Sequence, residues 1–87
     1  MKRIEIELKN ETGLHARPAS LFVKMASDYV SEVKLIKEDR SCDAKSIMGV
    51  LSLGVMKGDK LAIEADGKDE EEAVLALKNL VESNFGE

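Results

Sequence analysis

The chain is short of several residue types, and each shortage closes off a class of protein. It holds one cysteine, Cys42, and one histidine, His15, so neither an intramolecular disulfide nor a Cys/His metal cluster can be assembled from it. A reducing, cytoplasmic environment is expected, with no metal and no cofactor. Aromatic residues make up 3% and tryptophan is absent, which leaves no stacking platform for single-stranded nucleic acid. Positive charge is not in excess either: 13 Lys+Arg stand against 17 Asp+Glu, a formal charge of −4. A general nucleic-acid binder needs the opposite balance to displace counterions from phosphates. No apolar run approaches the length of a membrane span, and Glu5 and Glu7 occupy the place where a signal peptide would need its apolar core. A soluble protein that neither inserts into a membrane nor contacts nucleic acid directly is expected, in the form of a monomer.

The 87 residues suit a single domain, residues 1–87, large enough to bury a core without covalent staples. Ile4, Ile6 and Leu8 alternate with Glu5, Glu7 and Lys9, the period of a strand with one wet face. Asn10 to Gly13 reads as a loop. From Ala16 to about Asp28, Ala19, Phe22, Val23, Ala26 and Val30 fall at helical spacing. A strand is predicted over Glu32–Lys37 with Val33 and Leu35 inward, and a short one over Arg40–Asp43 after the charged turn Glu38-Asp39. Lys45–Leu53 reads as one short helix, with Ser46 as N-cap and Gly54 as stop. After the turn Lys57-Gly58-Asp59, Leu61, Ile63 and Ala65 mark a fourth strand. The last helix opens on Asp69-Glu70-Glu71-Glu72, negative charge on its positive end, and turns Ala73, Val74, Leu77, Leu80 and Val81 inward. The order β-α-β-β-α-β-α with alternating strands predicts an α+β open-faced sandwich: a four-stranded antiparallel sheet with helices on one face and water on the other.

Gly13-Leu14-His15-Ala16-Arg17-Pro18-Ala19-Ser20 sets the only histidine at the start of the first helix. A helix start leaves backbone N–H groups without intrahelical partners and concentrates about half a positive charge there, which favours an anion. Neutral imidazole is a nucleophile near pH 7, since its ordinary pKa is about 6.5. The N–H groups of Ala16 and Arg17 can face the oxygens of a phosphoryl group, and the Arg17 guanidinium can add a charge-assisted fork. Pro18 loses no intrahelical bond in the first turn. Gly13 keeps bulk away from the loop side of His15 and can take a positive φ. The bland alternative is an exposed or capping histidine; the run of Gly, His, Arg and Pro at a helix start favours chemistry.

This octapeptide, together with Lys45-Ser46-Ile47-Met48-Gly49-Val50, resembles the histidine-containing phosphocarrier (HPr) family of the bacterial sugar phosphotransferase system, over essentially the whole chain. The resemblance implies that His15 accepts a phosphoryl group on Nδ1 from phosphorylated Enzyme I, itself charged by phosphoenolpyruvate, and passes it to the IIA domains of sugar permeases. It implies a carrier, not a stand-alone enzyme, with Arg17 on the phosphate side. It further implies that Ser46 is phosphorylated by an HPr kinase/phosphorylase, the phosphoserine serving a catabolite-control transcription factor in carbon catabolite repression.

A phosphate at Ser46 would sit at a helix start, where its charge is tolerated and the fold survives. Ile47, Met48 and Leu51 are expected to form an apolar docking patch near His15, and negative charge beside it would weaken an acidic partner and favour an arginine-bearing one. Without the resemblance, Ser46 reads as a plain N-cap. Met25, Met48 and Met56 read as packing or adaptable contact surface, Cys42 as a partly buried strand residue with no lowered pKa, and Lys45 as a solvated flanking charge. Two departures from the family pattern stand out. Glu38-Asp39-Arg40 replaces a turn that usually carries glycine, leaving turn geometry and register open there, and Ser20 stands where threonine is common. Three other readings are weaker: an HPr-like module acting only through Ser46, from which His15 would be missing; a paralogue in a nitrogen-related phosphotransfer chain, which generally lacks the Ser46 segment; and an acylphosphatase-like domain, which would need Arg and Asn in a phosphate loop.

Overall fold

The computed structural model describes residues 1–9, 11 and 13–86; of the loop expected over Asn10–Gly13, Asn10 and Thr12 lie outside the described residues. Strand β1 spans Lys2–Glu7, helix α1 Ala16–Ser27, β2 Glu32–Lys37, β3 Arg40–Asp43, α2 Ile47–Ser52, β4 Lys60–Asp66 and α3 Glu70–Glu82. A 3-10 turn, Asn84–Gly86, follows. The strands form one antiparallel sheet in the order β1-β4-β2-β3. The predicted architecture is therefore present.

Register explains how the alternating residues divide between two faces. Ile4 lies opposite Ile63, Ile63 opposite Leu35, and Leu35 opposite Cys42, a row that meets the helices. The next row runs Arg3, Glu64, Lys34, Asp43 on the open face, charges of alternating sign, and Arg3 reaches Glu64 at 2.6 Å. A one-residue slip would exchange these two rows, burying charge, so the pattern itself locks the pairing. The open face is not wholly wet: Ala62 is buried and Ile36 half-buried on it.

Over the inner face, α3 lies on β1 and β4, and α1 packs between α3 and α2. Phe22 and Ala26 from α1, Val50 from α2, and Ala73, Val74, Leu77 and Val81 from α3 are buried with Val33, Leu35 and Ile63 of the sheet. One expected inner position differs: Val30 is 75% exposed, because α1 ends at Ser27 and its helical spacing no longer applies. Val23 and Leu80 are half-buried and pack against the core as expected. Phe85, which continues the inner stripe four residues after Val81, is buried although its backbone sits at φ 57°. That spacing was available in the sequence.

Two local features carry stability. Asp69 stands at the N-cap of α3 but makes no side-chain bond to its own helix. Its carboxylate instead accepts from the Ser31 hydroxyl at 2.5 Å and from the N–H groups of Val30 and Ser31 at 3.0 Å each, tying the α1–β2 connection to the start of α3. These donors, the Ser31 hydroxyl first, hold the Asp69 carboxyl below the usual carboxylate range. At the hairpin, Lys37 pairs with Arg40, leaving Glu38-Asp39 as a two-residue loop with Glu38 at φ 58°. The register is continuous, and the missing glycine is absorbed as strain at Glu38.

Glu38→Gly is expected to raise the urea midpoint by roughly 0.5–1 kcal/mol of stability, relief of a left-handed side chain less the added freedom of the unfolded chain. An unchanged or lower midpoint would remove the strain argument. For Asp69 the folded pKa is depressed, so its stabilisation is complete above the unfolded carboxylate's value near about 4 and is lost as pH falls through the folded value. Asp69→Ala should therefore be less stable than the parent at neutral pH, with the gap closing on acidification; denaturation measured across the acid range checks this.

Candidate functional site

His15 is the N-cap of α1, with extended backbone (φ −92°, ψ −165°), a carbonyl that accepts from the Ala19 N–H at 2.9 Å, and a side chain not used for capping. It is exposed, as are Ala16 and Arg17, the first two helical residues. Their N–H groups precede the first possible intrahelical acceptor and point away from the helix at its positive end. The Arg17 side chain makes no hydrogen bond or ion pair among the described residues. Pro18 is buried in the first turn, so it anchors the helix start. The residues that carry the imidazole, two amide donors and the guanidinium thus stand together at one open helix end.

The placement of this end depends on a segment that sequence reasoning missed. Gly13 has φ +70°, and a Cβ there would fall 2.5 Å from the Val55 carbonyl oxygen and 3.1 Å from Met56 Cα. The adjacent Leu14 is buried and donates its N–H to that same Val55 carbonyl at 3.0 Å. Glycine is needed here for close backbone approach, beyond freeing the histidine of bulk. The receiving segment is itself pinned: Met56 N–H donates to the Asp59 carboxylate at 2.8 Å, Leu8 N–H to the Asp59 carbonyl at 3.0 Å, and Gly58 N–H to the Leu8 carbonyl at 2.8 Å. The Met56 N–H, and then Lys37 at 2.9 Å, hold the Asp59 carboxyl below its usual range. Only the turn residues Lys57-Gly58-Asp59 signalled any of this.

Ser46 is the N-cap of α2 and half-buried; its Oγ accepts from the Gly49 N–H at 3.2 Å. Its neighbour Lys45 is not a free solvated charge, since Nζ donates to the Tyr29 carbonyl at 2.7 Å and clasps the connection after α1. The far end of α2 is closed by two cations from the β2–β3 hairpin, Arg40 to the Ser52 carbonyl at 2.7 Å and Lys37 to the Gly54 carbonyl at 3.1 Å. Gly54 sits at φ +64°, the expected stop. Ile47, Met48 and Leu51 are 38%, 74% and 37% exposed, and α2 packs against α1, so this apolar patch belongs to the same helical layer as His15. Beneath it α2 approaches β3 closely, with Cys42 Cβ 3.2 Å from where a Gly49 Cβ would stand. Burial pushes the Cys42 thiol up. Among the described residues no group of three or more His, Cys, Asp or Glu could hold a metal, and no helix is long and apolar enough to cross a membrane.

Comparison with known proteins points to one family. The family model for the PTS HPr component phosphorylation site matches residues 2–83. Phosphocarrier protein HPr of Neisseria meningitidis is 44% identical over 87 residues, all of this chain and 98% of the relative. The HPr-like protein Crh of Halalkalibacterium halodurans is 43% identical over 81 residues, 93% of this chain and 94% of the relative. A crystal structure of HPr from Thermoanaerobacter tengcongensis superposes with a TM-score of 0.97 at 54% identity, covering 100% and 98% of the two chains. A structure described as an HPr dimer from the same organism covers 100% of each chain with a TM-score of 0.81. The chain belongs to the HPr family of phosphocarrier proteins. It is accordingly a carrier and not a stand-alone catalyst.

Gly13→Ala is expected to cost 2 kcal/mol or more, roughly the sum of a left-handed alanine and a backbone clash, and to shift the amide resonances of Leu14, His15 and Val55 together. Retention of parental stability would show that the loop does not depend on this approach.

Proposed function

We propose that His15 is the phosphoryl acceptor and that residues 1–87 work as a single carrier domain. The observation that carries this reading is an exposed imidazole at the start of α1 whose ring is not consumed by capping. The Nδ1 lone pair attacks phosphorus in line, an N–P bond forms, and the donor's bond to phosphorus breaks with its electron pair remaining on the donor. As negative charge spreads over the three phosphoryl oxygens, the N–H groups of Ala16 and Arg17 and the Arg17 guanidinium receive it. The same groups hold the product, and because little rearranges, the reverse attack by a partner's nucleophile is equally open. The protein needs no pocket, since each partner supplies the other half of the site.

The partners in this reading are phosphorylated Enzyme I, drawing on phosphoenolpyruvate, and the IIA domains of sugar permeases in the cytoplasm. Ile47, Met48 and Leu51 form the apolar part of the shared docking face. One copy carries one phosphoryl group, so the working unit is a monomer; the dimer described for the Thermoanaerobacter tengcongensis relative bears on self-association and not on this step. Ser46 is proposed as the regulatory site, phosphorylated by an HPr kinase/phosphorylase and then read by a catabolite-control transcription factor. Its hydroxyl caps α2, and phosphate oxygens would accept from the same helix start. The gain is a doubly charged group beside an apolar face, which disfavours acidic partners and favours one bearing arginine.

Incubation with phosphoenolpyruvate and Enzyme I should add one acid-labile phosphate that is lost in His15→Ala, and ATP with the kinase should add one acid-stable phosphate that is lost in Ser46→Ala. Arg17→Ala should slow the first labelling by roughly tenfold or more, the loss of one charge-assisted contact to phosphate. Acid-labile label persisting in His15→Ala would refute the acceptor assignment. Acid-stable label persisting in Ser46→Ala would refute the regulatory one.

A further inference from the structure

The sulfur atoms of this chain differ sharply in access. Cys42, the one thiol, is half-buried and its ionisation is suppressed by burial, so it competes poorly for an oxidant. Met25 is half-buried against the core. Met48 and Met56 are 74% and 66% exposed, Met48 on the helix that packs on α1 and Met56 beside the loop that leads to His15. Met48 stands between Ile47 and Leu51 on α2, the helix that packs on α1, and is the most exposed member of that patch. Met56 borders the histidine loop: its Cα lies 3.1 Å from where a Gly13 Cβ would stand, and its N–H is held by Asp59 at 2.8 Å. The backbone is fixed while the thioether remains in solvent.

We propose that Met48 and Met56 are modification sites for hydrogen peroxide or another hydroperoxide, and that their sulfoxides weaken partner docking reversibly. The sulfur lone pair attacks the terminal peroxide oxygen, the O–O bond breaks and an S–O bond forms. Sulfur loses two electrons, and the departing hydroxide, or the alkoxide of another hydroperoxide, takes the proton of the transferred oxygen to leave as water or as the alcohol. The product replaces a flexible apolar surface with a strong dipole that a docking partner must desolvate. His15 itself is untouched, so the chemical step is preserved and the encounter is impaired. This inference rests on the phosphocarrier reading and adds a control over the same face.

The test uses the intact protein, treated with hydrogen peroxide and mapped by mass spectrometry, then assayed with Enzyme I and phosphoenolpyruvate. One added oxygen is expected on each of Met48 and Met56, with Met1, 74% exposed, as an oxidised bystander. The KM of Enzyme I for the oxidised carrier should rise roughly five- to tenfold at unchanged kcat, in keeping with a buried, unpaired dipole, and return after treatment with methionine sulfoxide reductases. In the Met48→Leu/Met56→Leu variant, peroxide should leave KM where that variant had it, although Met1 is still oxidised. Unchanged KM in the oxidised parent, or an equal peroxide effect in the double leucine variant, would overturn this proposal alone. Absence of labelling before any oxidation would overturn the phosphocarrier reading with it.

Discussion

The site depends on the close approach of two backbones, made by a hydrogen bond and permitted by a missing side chain. The Leu14 N–H meets the Val55 carbonyl, and Gly13, having no Cβ, lets the two backbones come that close. The loop before α1 is thereby fastened to the segment that leads into β4, and through Asp59 to β2 as well. The position of His15 is thus set by the sheet and not by its own loop. An exposed nucleophile needs this support, because among the described residues no side chain bonds the ring from outside.

The same logic governs α2. Six residues make too short a helix to persist on propensity alone. Ser46 closes one end with its hydroxyl, Arg40 and Lys37 close the other with their charges, and Val50 provides the buried contact. Once both ends are closed, Ile47, Met48 and Leu51 can remain at the surface without the helix fraying. The exposed apolar patch is therefore permitted by polar contacts at its two borders. On the opposite side of the molecule, the Arg3, Glu64, Lys34, Asp43 row does comparable work, protecting an open sheet face by opposite charges side by side.

Much of this was legible from residue order because it is local. Alternation in Ile4–Ile6 and Leu61–Ile63–Ala65 reports strand faces directly, and the spacing of Ala73, Val74, Leu77 and Val81 reports a helix. Where helical spacing was carried past a helix end, it misled: Val30 keeps the period of α1 but belongs to the connection that Asp69 captures. Where the period was not carried far enough, at Phe85, a core residue went unnoticed. Asp69 itself illustrates a general difficulty. Within an acidic run at a helix start it reads as a dipole partner for its own helix, yet its carboxylate spends its acceptors on Val30 and Ser31, nearly forty residues earlier.

Sequence by itself determined the element order, the inner and outer faces, and the placing of His15 and Ser46 each at a helix start, because all of these follow from periods and caps within a few residues. Tertiary structure alone decided why Gly13 must be glycine, how Lys45, Arg40 and Lys37 spend their charges, and which methionine sulfurs meet solvent. Those outcomes depend on backbone carbonyls and packing partners brought together from distant parts of the chain, and a carbonyl has no letter in the sequence.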